Sequence, residues 1–389
     1  MQRPLRIAMI CDSITDCLAG SFISTRRFSN LLKERGHTII FIAARSPMNP
    51  VDGEYNGMRV YRFASIPIPK SESQVYLGFP SRRQLEDIFT DEKIDIVHSI
   101  IPTISAITAT RVAEKLSIPV VAHSHTQPDN LFLHLPKFLP IKTISGIFYR
   151  YLHWIYRRAE AIIHPSEFSR LKFSTLMLSE THVISNGVDA AYFSRRNPAP
   201  FFAKYNIPPG RQYIVFVGRI HPEKSISTLI RAIPLMLQSN LNVHLIIVGF
   251  GHMETALAKL AKNLGVTDKV TMTGRVDDDD LIQAYSAADL FVMPSLAELE
   301  GMAVLEAMSV GAPILVADSP ESAAKHFVDG NGALFRPGDH KHLAAEAIRI
   351  LRDPVLLKSM KEANLEKIKN YDINRSVERI EEVYYRVLS

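Results

Sequence analysis

Cysteine is nearly absent from this chain, with 2 residues in 389, and tryptophan occurs once. Cys11 and Cys17 are too few for a disulfide framework and lack the spacing of metal ligands, so a stapled or zinc-organised miniature fold is excluded and a reduced, cytosolic protein is the default. No apolar run reaches the ~18 residues that a membrane-spanning helix requires, which leaves only peripheral membrane contact. Met1-Gln-Arg-Pro4 runs straight into an apolar strand, so no signal peptide is expected there. Charge of one sign is also scarce. Against 45 Lys and Arg stand 40 Asp and Glu, a net charge of +5; with no basic arm or binding signature, this points away from nucleic acid as a partner. A G-x-G-x-x-G dinucleotide fingerprint is missing as well.

The composition is that of a globular protein, 47% hydrophobic and 22% charged, and the length exceeds a usual single core, which implies two domains. Apolar strand patterns at 6–11, 38–43, 58–63, 94–99, 119–122 and 161–164 alternate with helical ones, the rhythm of a parallel, doubly wound α/β sheet. A second series follows at 213–217, 243–248, 270–273, 290–293 and 313–316. Between the two, Asn197-Pro-Ala-Pro200 and Pro208-Pro-Gly210 read as a linker. The chain ends in helices, the last over 373–387. Ala19-Gly20-Ser21 lies between the first strand and a helix over 26–35, where a glycine lets the backbone approach a ligand at the sheet's carboxyl edge.

Two segments of the second half carry chemistry. In Ile214-Val-Phe-Val-Gly218-Arg219-Ile-His221-Pro222-Glu223-Lys224 an apolar strand ends at glycine and delivers two cations to the following loop, an arrangement suited to a diphosphate. Downstream, Asp289-Leu-Phe-Val-Met293 is a short strand, Pro294-Ser295 breaks it, and Glu298 precedes a turn at Gly301. A helix is expected to start near Met302. Its unpaired N–H groups around Gly301, Met302 and Ala303, and its positive dipole end, suit an anionic phosphate. Glu306, eight residues after Glu298, can turn a carboxylate toward hydroxyls in the same place. The acidic run Asp277-Asp-Asp-Asp280 directly precedes a helical pattern and reads as a helix cap rather than a metal site.

Together, Val217-Gly-Arg-Ile-His-Pro-Glu-Lys224, Gly274-Arg-Val276 with Tyr285-Ser-Ala-Ala-Asp289, and the Glu298 to Glu306 segment resemble the retaining glycosyltransferases of family 4. The resemblance implies the GT-B fold: two facing Rossmann-like, doubly wound α/β domains with an active-site cleft between them. An acceptor-binding domain over 1–195, completed by a returning helix over 371–389, and a nucleotide-sugar-binding domain over 196–370 are the expected division. By the same resemblance Gly20 approaches the donor phosphates, Arg219 and Lys224 hold the diphosphate, and the backbone of Val276 contacts the base. Glu298 lies near the donor sugar and its anomeric centre, and Glu306 binds ribose hydroxyls. Because side-chain cations and helix N–H groups serve the leaving diphosphate, neither a metal nor another cofactor is implied. The leaving phosphate itself helps to take the acceptor proton, and no protein nucleophile is assigned. Ala19, Ser185 and Glu300 depart from the usual Gly, Pro and Phe of the family at those places.

His125, in Val121-Ala-His-Ser-His125-Thr126, lies just past a strand end, where active sites of such sheets gather. It matches the family's His-Thr element and is taken as the residue contacting the donor sugar, with His123 as its competitor. The expected reaction moves a hexose from a UDP- or GDP-sugar to a membrane lipid such as diacylglycerol, or to a glycan. The segment 133–158 interleaves aromatic and basic residues. It suits either a helix packed on the sheet with solvated charges, or peripheral contact with an anionic membrane at the inner face of the cell membrane. A sugar-nucleotide epimerase of the same fold and a non-catalytic nucleotide-sugar-binding protein are the alternatives.

Overall fold

The alternating pattern folds into two parallel sheets, each with its own core, in a computed structural model that describes residues 3–14, 20–68, 75–126, 141–174 and 179–389. Cys17, Ala19 and all of 133–140 lie outside the described residues. Two compact units emerge: one runs as far as Asn186 and includes Ile373–Ser389, and the other holds Gly187–Asp372.

The first unit is built on an eight-stranded sheet. Its strands are β1 (Arg6–Ile10), β2 (Thr38–Ala44), β3 (Gly53–Tyr55), β4 (Met58–Phe63), β5 (Ile96–Ser99), β6 (Val120–His123), β7 (Ala161–His164) and β8 (Glu180–Val183). The spatial order is β8-β7-β6-β5-β1-β2-β4-β3, parallel except where β3 pairs antiparallel with β4. Helix α1 (Gly20–Glu34) buries Phe22, Phe28 and Leu32, while α2 (Ile104–Leu116) buries Ala106, Ala109 and Ala113. In α3 (Ile141–Tyr156) the buried side chains are Leu152, Ile155 and Tyr156. The C-terminal helix Ile373–Leu388 places Val377, Ile380, Val383 and Tyr384 in the same core as Ile7 and Met9. Those positions recur at helical spacing, so one face supplies all of them. The first helix begins at Gly20, not near 26. Ser24 and Thr25 in its first turns bond back to the Ser21 carbonyl, at 3.1 and 2.6 Å, and polar residues there hide the apolar period. Strands β3 and β8 are short and partly polar edge pieces without a readable alternation.

The second unit has a six-stranded sheet made of β9 (Gln212–Val217), β10 (Val243–Val248), β11 (Val270–Gly274), β12 (Leu290–Met293), β13 (Ile314–Ala317) and β14 (Gly332–Phe335). All neighbours are parallel, in the order β11-β10-β9-β12-β13-β14. β10, β12 and β13 are buried at every position, as strands covered on both faces should be. Helices α4 (Ile226–Gln238), α5 (Asp278–Ala287) and α6 (Met302–Ser309) follow β9, β11 and β12. The proline-rich stretch is not simply a linker: Ala199–Lys204 forms a short helix, and Phe201 is fully buried in this unit's core. The entering and leaving segments of the unit are tied to each other, with Val188 N–H donating to the Tyr371 carbonyl at 2.8 Å.

Candidate active site

In the second unit every parallel strand points its carboxyl end to one edge, and the predicted residues gather there. After β9, Gly218 and Arg219 lead to a 3₁₀ turn over Pro222–Lys224. Lys224 is mostly buried, and its Nζ lies 2.5 Å from the Glu298 Oε1. Arg219 is half-exposed and donates through Nη2 to Glu223 Oε1 at 3.2 Å. The Glu223 side chain is almost fully buried, and its backbone carbonyl accepts from Leu296 N–H at 2.7 Å. One glutamate therefore both anchors the arginine and joins the two loops. Glu298 belongs to the two-residue strand Ala297–Glu298, paired in parallel with Glu321–Ser322. Gly301 caps α6 with φ at 106°, in the left-handed region open to glycine. A Cβ there would fall 2.8 Å from that of Ala324. No side-chain cap bond is made to this helix, and its first N–H groups, those of Met302 and Ala303 included, have no acceptor within the helix itself. Glu306, one turn along α6, is buried and accepts from Tyr285 Oη at 2.8 Å. Val276, past the end of β11, is partly buried against the core. Asp277 is the N-cap of α5, accepting from Asp280 N–H at 2.9 Å, and Asp280 is paired with Lys204.

In the first unit the corresponding edge carries Asp12 after β1, Gly20 at the first position of α1, and Ser124 to Thr126 after β6. Asp12 is buried and accepts from Gly78 N–H at 3.3 Å; burial pushes its pKa up. His123, the last residue of β6, is inside the core at 2% exposure. His125, two residues further, is half-buried and stacks on it, with ring centroids 4.0 Å apart. On α3 the tryptophan is packed: Arg158 lies 4.1 Å and Arg111 5.0 Å from the Trp154 ring centroid, and Arg158 also pairs with Glu114 at 3.2 Å. Arg150 and Arg157 stay exposed, as does Ile147. No helix among the described residues is long and apolar enough to cross a membrane.

Comparison with known proteins follows the same division. Residues 19–192 match the family described as Glycosyltransferase Family 4, and residues 199–367 match Glycosyl transferases group 1. The chain belongs to the family 4 glycosyltransferases. Among its relatives is the alpha-monoglucosyldiacylglycerol synthase of Streptococcus pneumoniae, 26% identical over 327 residues that cover 81% of this chain and 72% of that protein. Another is the phosphatidyl-myo-inositol mannosyltransferase of Mycobacterium leprae, 27% identical over 390 residues, or 98% and 97% of the two chains. Among solved structures, sucrose-phosphate synthase from Thermosynechococcus elongatus superposes with a TM-score of 0.81 at 18% identity, over 98% of this chain and 99% of that one. This glycosyltransferase has the GT-B fold.

Several features of this candidate site escape a linear reading. Tyr285 holds Glu306 from 21 positions away, and only the packing of α5 on α6 reveals it. Glu223 sits inside the motif that supplies Arg219 and Lys224, yet nothing in the motif says that its side chain is buried. The histidines of the first unit form a third case. Burial pushes both His98 and His125 down to about 3, and His123 well below its ordinary value. The ordinary value is 6.5, so the unfolded chain takes up protons first as pH falls. Stability is then complete above about pH 6.5 and lost toward pH 3, by about 1.4 kcal/mol per pH unit for each such histidine. Carboxylates held low in the fold, such as Glu92 and Asp95, lose their contribution only below their ordinary values of 4.5 and 3.8, under the interval from about pH 7.5 to about pH 5.5. The urea midpoint should therefore fall between about pH 7.5 and about pH 5.5, and His98→Phe should flatten the slope. An unchanged midpoint across this interval would contradict the neutral, buried assignment.

Proposed function

We propose that this glycosyltransferase is a retaining, metal-independent hexosyltransferase that uses a UDP- or GDP-hexose, and that its acceptor is a membrane lipid of the diacylglycerol kind. The observation that carries the reading is the Lys224–Glu298 pair beside Arg219 and the uncapped start of α6, all at one sheet edge. A diphosphate leaving an anomeric carbon needs fixed cations and oriented N–H groups where negative charge develops. Lys224, Arg219 and the N–H groups of Met302 and Ala303 are those groups. Glu298, salt-bridged to Lys224, is placed to take sugar hydroxyls while its cationic partner meets the phosphate. Glu306, oriented by Tyr285, receives the ribose, and the backbone at Val276 the base. In this reading Gly187–Asp372 is the donor-binding unit. The other unit binds the acceptor and offers His125 to the donor sugar and the backbone at Gly20 to the phosphates.

The test is incubation with UDP-glucose and with GDP-mannose, each with diacylglycerol vesicles and excess EDTA, followed by NMR of the product. An α-linked glycolipid from an α-linked donor is expected, at the same rate with and without chelator. Loss of activity in EDTA with recovery on added manganese would overturn metal independence. An epimerised nucleotide sugar without acceptor would move the chain to the epimerase class.

Lipid as acceptor is favoured by the two relatives named for diacylglycerol and phosphatidyl-inositol chemistry, and by exposed Arg150, Arg157 and Ile147 on and just after α3. The protein should sediment with anionic vesicles at low salt and dissociate as salt screens the attraction. Arg150→Glu with Arg157→Glu should release it. Wild-type protein that stays in the supernatant would turn the acceptor toward a soluble glycan.

A further inference from the structure

We propose that His98, His123 and Tyr384 form a positioning row that holds His125 neutral and fixed in orientation; the functional part of this inference rests on the reading of His125 as the residue facing the donor sugar. The row is visible in the geometry. His98 on β5 and His123 on β6 stack with ring centroids 5.5 Å apart and planes 10° from parallel, and His123 stacks on His125 at 4.0 Å and 13°. Phe28 of α1 lies 6.0 Å from both inner rings and nearly parallel to them. At the far end the Tyr384 hydroxyl shares a 2.6 Å hydrogen bond with His98 Nδ1. Tyr384 is fully buried on the C-terminal helix, whose first residue, Ile373, follows directly on the last residue of the donor unit.

Packing alone does not account for this arrangement. His98 Nε2, both ring nitrogens of His123 and Nε2 of His125 are buried without a hydrogen-bond partner. Unsatisfied buried polar atoms destabilise a core that phenylalanine or leucine would fill without that penalty. What three stacked imidazoles supply instead is a bar to protonation. A proton on His125 would put a charge inside a desolvated stack, and desolvation is what holds this ring neutral. The other groups facing the row do not relieve it: His164 of β7 adds repulsion if charged, and Tyr384 is a neutral phenol. Glu381, on the turn before Tyr384, is already bound by Arg35 and His37. Neutrality suits the chemistry, because positive charge builds on the anomeric carbon during transfer and an imidazolium beside it would raise the barrier. A neutral ring still has one donor and one acceptor for sugar hydroxyls.

The experiment is side-chain ¹⁵N NMR of His125 in the full-length protein, with turnover of UDP-glucose and GDP-mannose measured on the same samples. Wild-type His125 should show one neutral tautomer from about pH 8 down to about pH 5. His123→Ala should mix its tautomers and raise its titration midpoint toward the ordinary value, with kcat down about 10-fold and KM for the donor changed less than about 2-fold. His123→Phe keeps a ring face but not the imidazole, so the His125 signals should shift in the same direction as in His123→Ala and by less. Tyr384→Phe deletes one oxygen and leaves the packing, so it serves where the alanine variant does not fold; it should shift the His125 signals in the same direction by less. Unchanged His125 signals in His123→Ala, or in Tyr384→Phe if that is the folded variant, would overturn the row. His125→Ala separates the two ideas. Full turnover in that variant would remove His125 from the donor sugar, while the NMR result still decides whether the row positions its ring.

Discussion

Lys224→Ala should lower the rate of glycosyl transfer by about 10²-fold or more, the scale of deleting one preorganised donor from a site where negative charge develops. The lysine is rigidly placed by the turn over Pro222–Lys224 and by its 2.5 Å contact with Glu298, so its charge is in position before the donor binds. Its loss has two components. One is the missing cation at the leaving diphosphate, and the other is a largely buried glutamate left without its partner, which destabilises by roughly 3–5 kcal/mol where burial is complete and by less at the 14% exposure of Glu298. The double variant Lys224→Ala/Glu298→Gln removes the second component and should recover thermal stability without recovering turnover. Lys224→Arg keeps the charge but not the compact ammonium, and should fall between. Arg219→Ala should also cost about 10²-fold. Near wild-type turnover in folded Lys224→Ala would sink the assignment of this cation to the diphosphate.

The parts of the molecule that a linear reading finds are those whose signal is local. Val243–Val248 and Leu290–Met293 are buried throughout and show as short apolar runs, and the turn at Gly301 followed by α6 shows in the residues between Glu298 and Glu306. Asp277 caps α5 through its own neighbours. What stays hidden is whatever the sheet order creates. His98 and His123 become neighbours because β5 and β6 pair in parallel, and Tyr384 joins them from 286 positions away. No periodicity carries that information. Edge strands such as Glu180–Val183 escape for a related reason: half of their surroundings is solvent, so their composition approaches that of a loop. The proline-rich segment misleads in the opposite direction, since prolines that break one helix also start another, and Pro198 stands at the N-cap of Ala199–Lys204.

Gly249→Ala should destabilise the second unit by about 3 kcal/mol or more, a large share of the 5–15 kcal/mol that holds a domain together. Beyond the end of β9 and β10 the two chains keep pairing: Gly218 N–H donates to Val248 O at 3.0 Å and Ile220 N–H to Phe250 O at 2.9 Å. The backbones run so close that a Cβ on Gly249 would lie 2.0 Å from the Gly218 carbonyl oxygen, at a φ of 135° that side chains rarely adopt. Neither chain can yield without displacing Arg219, the next residue. Gly251→Ala isolates the steric part, because its Cβ would meet Ile220 O at 2.4 Å with no unusual φ. Gly210→Ala isolates the conformational part, having a φ of 71° and open space around it, and should cost only about 1–2 kcal/mol. The expected order of melting temperatures is wild type, Gly210→Ala, Gly251→Ala, Gly249→Ala. Donor affinity should fall in the last two even where they remain folded, since the loop that clashes is the one that carries Arg219 to the site. A Gly249→Ala protein that melts with the wild type and binds donor normally would show that the loop after β9 has room to move, and that Arg219 does not depend on this backbone contact for its position.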